Sequence, residues 1–183
     1  MRYSNMTILL HWLGAGLIFL TFGVGAWGLV PTPNTAHKLP LLWLHMGLGL
    51  SLLVLTALRL MLRARRGGPR LKRPTRTAAR PGRPQPWLTR LAQPVQNLLY
   101  AATPLMALSG LGLAWQAGYG QDLRALPADF YAFSLRAAHG TFSSLLAALI
   151  VLHLLTWAYY QFIRGENALA WMWFRKPKKD EHE

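Results

Sequence analysis

Four long runs without a single Asp, Glu, Lys or Arg dominate this 183-residue chain: residues 8–30, 41–58, 98–115 and 137–160. A helix needs about 20 consecutive apolar residues to cross the hydrocarbon core of a bilayer. The first and last runs reach that length unaided, and the middle two reach it by extending into residues 59–62 and 94–97. Inside lipid every backbone N–H and C=O must be paired within the protein, so such runs are expected to be helices. The expected fold is all-α, a four-helix transmembrane bundle with helices over 7–30, 40–62, 94–116 and 136–163, forming a single membrane domain across residues 1–183. The first run follows Arg2, as a secretory leader would, but it is longer than the roughly 7 to 15 apolar residues of a leader. It is therefore expected to remain as a mature helix.

Charge sets the expected orientation. The segment 63–90 carries ten basic residues and no acidic one, whereas the first connection has only Lys38 among Lys and Arg. The third connection sets Arg124 and Arg136 against Asp122 and Asp129. Positively charged short loops stay on the cytoplasmic side, so 63–90 is expected there. With four spans both termini then face the cytoplasm, in keeping with Arg2 at one end and Arg175, Lys176, Lys178 and Lys179 in the 164–183 tail.

A net charge of +14 invites a nucleic-acid reading. The basic segment answers it poorly, because it holds five prolines and a lone aromatic, Trp87, where single-strand binders interleave stacking platforms with cations. A cytoplasmic loop that also touches anionic lipid headgroups accounts for the charge without nucleic acid. Trp171, Trp173 and Phe174, beside the tail lysines, read as an interfacial anchor. The absence of cysteine excludes disulfides, thiolate-held iron–sulfur clusters and haem attached through Cys-x-x-Cys-His.

Against this apolar background, His11, His45, His139 and His153 stand inside the spans, while His37 and His182 fall in a loop and the tail. An ionisable side chain within a span is costly and points to a functional partner. In the expected topology, His11 lies near the cytoplasmic start of the first span and His45 near the outer start of the second. The fourth span carries both His139, near its outer end, and His153, fourteen residues on. That separation is about 21 Å at 1.5 Å per residue and close to a whole number of turns, so both rings leave nearly the same helix face. His11 then pairs with His153 on the cytoplasmic side, and His45 with His139 on the outer side. A zinc or copper site would gather its ligands in one place, and an interhelical hydrogen bond or proton relay would not need two matched depths. Two non-covalent haems, each held by two histidines, meet the pattern.

Small residues adjoin these histidines: Gly14 and Gly16 after His11, Gly47 and Gly49 after His45, and Gly140 after His139. They suit either close approach of a macrocycle or ordinary packing of helix on helix. Arg59 and Arg136 are candidate haem-propionate partners, with a membrane-interface charge as the other reading for each. Pro104 is expected to kink the third helix, and Ser109, Gly110 and Gly112 to pack tightly or to shape a cavity beyond it.

The chain also resembles the bacterial cytochrome b561 family over nearly its whole length. The resemblance is carried by RYSNMTILLHWLGAGLI at the start and by HMGLGLSLLVLTALRLMLR, with His45, Gly49, Arg59 and Arg63. It continues in YAATPLMALSG, with Tyr100, Pro104, Ser109 and Gly110, and in the spacing of His139 and His153. It implies a bacterial inner-membrane, multi-pass protein with two b-type haems, whose four ligand histidines match His11, His45, His139 and His153. Some relatives have further histidines at the start of the third span, where Gln93 and Gln96 stand here.

An iron with two axial histidines has no open position and exchanges electrons rather than activating oxygen. A lipid-soluble quinone is the natural partner in the membrane. Resemblance to the family's small free-standing members implies superoxide oxidation at the periplasmic face coupled to ubiquinone reduction. Lys38, Arg124 and Arg136 are candidates for steering the anion, with loop solvation as the alternative for Lys38 and Arg124. A different reading is a membrane-anchor subunit passing electrons between a hydrogenase or dehydrogenase and quinone; the short outer loops offer little docking surface, so a protein partner is possible but not indicated. A haem-free scaffold or transporter would leave the matched histidines without a role.

Overall fold

A computed structural model of the chain describes residues 4–65, 87–122, 124, 126, 129–165, 169 and 172–173. Its helices are α1 (Asn5–Gly23), α2 (Leu39–Arg65), α3 (Trp87–Gln116) and α4 (Ser134–Ala158). Most of the expected basic loop, 66–86, and most of the tail, with His182, Trp171 and Phe174, lie outside the described residues. Among the described residues four helical spans, Asn5–Leu29, Ala36–Arg65, Leu91–Gln116 and Ser134–Ile163, are long and apolar enough to cross a membrane. Among the described residues there is no strand.

Local chemistry explains the helix ends. Ser4 caps α1, its hydroxyl accepting the Thr7 backbone N–H, a bond that replaces a missing intrahelical partner. α1 then widens into a π-helical segment, Val24–Leu29, and α4 does the same over Tyr159–Ile163. Such widened turns change the rotation of the residues that follow and are frequent at functional sites. α3 closes in a Schellman turn: the Gly118 N–H reaches the Trp115 carbonyl at 3.0 Å and the Tyr119 N–H reaches the Ala114 carbonyl at 3.1 Å. Gly118 takes a φ of 90°, a conformation that a glycine adopts without strain.

Helix α3 begins at Trp87, ahead of the expected start at 94, and remains helical through both Pro94 and Pro104. Each proline removes one backbone donor. Within a bundle, neighbouring helices and nearby hydroxyls tolerate that loss. α2 continues to Arg65, beyond the expected end at 62, because its last residues leave the apolar zone as a charged, solvated turn.

The helices pack in chain order, α1 on α2, α2 on α3 and, most extensively, α3 on α4. The rings of His11 on α1 and His153 on α4 meet across the remaining side of the bundle. Ala102, Leu146 and Leu149 form the centre of the α3–α4 contact, with Leu99, Met106 and Ile150 against them. Gly112 permits that closeness, since a Cβ there would lie 2.6 Å from Leu135 Cδ1. Large apolar side chains such as Phe19, Trp27, Val54 and Leu155 point outward, as a lipid-facing surface requires. Buried hydroxyls are satisfied within their own helices: Thr21 donates to the Leu17 carbonyl and Thr103 to the Leu99 carbonyl.

Candidate functional site

The up-and-down course of the helices brings the four span histidines together as two pairs. The rings of His11 on α1 and His153 on α4 have centroids 6.5 Å apart and planes inclined by 65°. Those of His45 on α2 and His139 on α4 are 6.2 Å apart and inclined by 79°. An imidazole nitrogen sits about 2 Å from a metal that it ligates. Because that nitrogen lies little more than about 1 Å from its ring centre, two axial imidazoles on one metal have centroids about 6 Å apart. Both pairs have this spacing. Among the described residues no three metal-ligating side chains cluster, so a site with a larger protein ligand set is absent there.

At the His45–His139 end the bundle holds a cavity of about 340 Å³, within the range of cofactor sites, about 300–1,000 Å³. Its lining is mostly apolar and includes both histidines, Gly25, Gly110, Tyr119 and Arg136. Two glycines shape the ring positions. A Cβ on Gly25 would stand 3.0 Å from Cε1 of His45, and one on Gly110 would stand 2.9 Å from Cε1 of His139. Each imidazole therefore rests against bare backbone of a neighbouring helical segment. The π-helical widening of α1 contains Gly25.

Hydrogen bonding distinguishes the two nitrogens of His139. The Ser109 hydroxyl donates to the Met106 carbonyl at 2.8 Å, which commits its only proton. Its oxygen, 3.1 Å from Nδ1 of His139, is then an acceptor for Nδ1–H, and Nε2 is left unprotonated for a metal. Nδ1 of His45 is buried with no hydrogen bond of ordinary geometry among the described residues, although the Thr21 backbone lies beside the ring.

The other pair has a cation beside it. Arg59 reaches across from α2: a Cβ on Gly14 of α1 would lie 3.2 Å from one of its terminal nitrogens. The same guanidinium donates to the Tyr100 hydroxyl on α3 at 3.2 Å and stacks 5.3 Å from that ring. Arg63 covers the ring at 4.9 Å and donates to Asn97. Gln93 also donates to Asn97, which gives it a place in this polar group.

The candidate anion-steering residues separate. Lys38 and Arg136 both line the cavity of His45 and His139. Arg136 stacks on Tyr131 at 4.9 Å, and Lys38 donates to Asn34 while lying 5.8 Å from the Phe130 ring. Arg124 is not part of the lining; its backbone N–H is bound by Asp122 in an exposed turn. Of the glycines flanking the histidines, Gly14 and Gly140 lie against the guanidinium groups of Arg59 and Arg136, whereas a Cβ on Gly16, Gly47 or Gly49 would meet no atom of another element within 4 Å. His37 is exposed in a short 3-10 turn.

The model of the prokaryotic cytochrome b561 family matches residues 2–175. The chain belongs to the prokaryotic cytochrome b561 family. No curated protein matches the sequence closely. Membership makes it a membrane b-type haem protein of electron transfer. The residues present suit that cofactor: paired imidazoles at bridging distance, backbone cradles at Gly25 and Gly110, and an apolar cavity with cations in its wall.

For this cytochrome b561 family chain, sequence reasoning singled out the histidines but missed Gly25 and Tyr119, and it treated Ser109 and Gly110 as packing or cavity residues without linking them to His139. The signal available for Gly25 was only its composition, a small residue in a Gly-rich stretch. Tyr119 lay in a connection with no motif to mark it.

Proposed function

We propose that this chain is an inner-membrane dihaem cytochrome that oxidises superoxide at its outer face and reduces ubiquinone in the membrane. The observation that carries the dihaem reading is the presence of two imidazole pairs at the same spacing, at opposite ends of α4. His11 and His153 are assigned to the cytoplasmic haem, and His45 and His139 to the periplasmic one, with both chain termini cytoplasmic because of the basic 63–90 segment. When bound, haem with two axial histidines supplies outer-sphere one-electron transfer.

The protein's own groups perform the remaining tasks. His11 with His153, and His45 with His139, would each hold one haem iron and would leave it no protein-free site at which oxygen could bind. Lys38 and Arg136 place positive charge at the outer cavity, where a small anion is drawn in. Arg59, beside the inner pair, is assigned to a propionate or to the electrostatic tuning of that site. Superoxide loses one electron per molecule to become oxygen, and the electrons collected turn quinone, with protons, into quinol.

Two measurements test this reading. Pyridine haemochrome analysis of the purified, fully loaded protein should find two haems per chain, and one haem would overturn the paired assignment. Turnover with superoxide and a short-chain quinone should be rapid in the isolated protein. Slow turnover together with stable co-purification of a hydrogenase or dehydrogenase would replace the oxidase reading by that of a membrane-anchor subunit.

A further inference from the structure

Tyr119 is only 8% exposed, yet it belongs to a connection rather than to a helix. Its hydroxyl is buried and has no hydrogen-bond partner among the described residues. A phenol O–H sealed from water without a partner is costly, so a site that retains one normally supplies an acceptor. The backbone explains how the side chain is turned inward. Tyr119 is the residue after the left-handed Gly118 in the Schellman turn, a position whose side chain commonly folds back on the last turn of the helix.

The cavity beside the ring identifies the acceptor. Tyr119 lines the same cavity as His45 and His139, together with Lys38 and Arg136. Among the described residues that lining holds two cations and two phenols, Tyr119 and Tyr131, but no carboxylate. Burial pushes the phenol's pKa above its ordinary value, which keeps it a proton donor at neutral pH. A neutral donor and two cations around one cavity call for an anionic oxygen acceptor. The position just beyond the end of α3 places this group at the mouth of the bundle, not at its centre.

We propose that Tyr119 donates a hydrogen bond to a carboxylate of the haem held between His45 and His139, forming with Arg136 and Lys38 the anion-holding rim of that site. The proposal rests on the assignment of His45 and His139 as axial ligands. It makes the turn after α3 part of the haem site, so the outer cofactor is gripped by a connection as well as by helices.

The test uses the intact, haem-loaded protein in detergent. Haem transfer to excess apomyoglobin is followed, and the phase absent from His139→Ala is taken as the outer site. In Tyr119→Phe that phase should accelerate about tenfold, the equivalent of one lost hydrogen bond to a charged group. The other phase should stay unchanged, which also shows that the variant is folded. Resonance Raman should register an altered propionate bending mode in Tyr119→Phe, and Arg136→Gln combined with it should give a non-additive release rate. Unchanged release and unchanged propionate modes in Tyr119→Phe would overturn the proposal while leaving the axial ligands intact. Retention of both haems by His139→Ala would instead overturn the ligand assignment on which it rests.

Discussion

The Ser109 hydroxyl lies between the Met106 carbonyl and Nδ1 of His139, 2.8 Å from the first and 3.1 Å from the second. It links two turns of α3 to the ring of α4 and selects which imidazole nitrogen carries the proton. A partner of this kind makes a ligand histidine a stronger donor, which favours the oxidised metal. Ser109→Ala should therefore raise the midpoint potential of the outer haem by tens of millivolts, the equivalent of about 1 kcal/mol, and leave the inner one in place. Potentiometric titration of the two haem components checks this expectation.

The pairing of the histidines gives a selective outcome. His11→Ala and His153→Ala should each remove the same half of the haem, and His45→Ala and His139→Ala the other half. Haem quantification combined with low-temperature absorption spectra distinguishes the patterns. If His45→Ala and His153→Ala removed the same component, the pairing would be wrong.

Glycine at 25 and 110 is required by contact. A methyl group at either position would stand at 3.0 or 2.9 Å from an imidazole carbon, closer than carbon atoms pack. Gly25→Ala and Gly110→Ala should each displace the adjacent ring at a cost of about 1–3 kcal/mol and weaken haem retention at the outer site. Gly28→Ala is the matched control, because its Cβ would meet Leu41 and Val24 at ordinary distances of 3.7 to 3.8 Å. Haem content after purification, compared across the three variants, reads the effect.

Arg59 places a fixed positive charge at the His11–His153 end, and such a charge favours the reduced iron. Arg59→Gln should lower the inner haem potential by an amount on the order of tens of millivolts. Arg63→Gln, which stacks on Tyr100 but donates to Asn97, should have the smaller effect. The same titration used for Ser109→Ala separates the two ends of the molecule.

Much of this architecture is legible in the sequence because lipid imposes such simple conditions. Long charge-free runs allow few structures other than helices, and the fixed rise of a helix turns the spacing of His139 and His153 into a depth difference. The bounds were less legible. Nothing in the apolar pattern marks the start of α3 at Trp87, since the helix passes through Pro94 into polar sequence. Arg124, read with Lys38 and Arg136 as an anion-steering candidate or else as a solvated loop residue, sits in an exposed turn bonded to Asp122 and outside their cavity lining.

The sequence by itself determined four membrane helices and the four histidines that distribute over two levels. Only the tertiary structure decided that His45 rests on Gly25, that His139 rests on Gly110 and hydrogen-bonds Ser109, and that Tyr119 lines their cavity. The physical reason is that a membrane helix is apolar on its lipid face and its packed face alike, so periodicity does not reveal its rotation. The π-helical turn of α1 and the left-handed residue after α3 set those last rotations, and their consequences appear only when the neighbouring helices are in place.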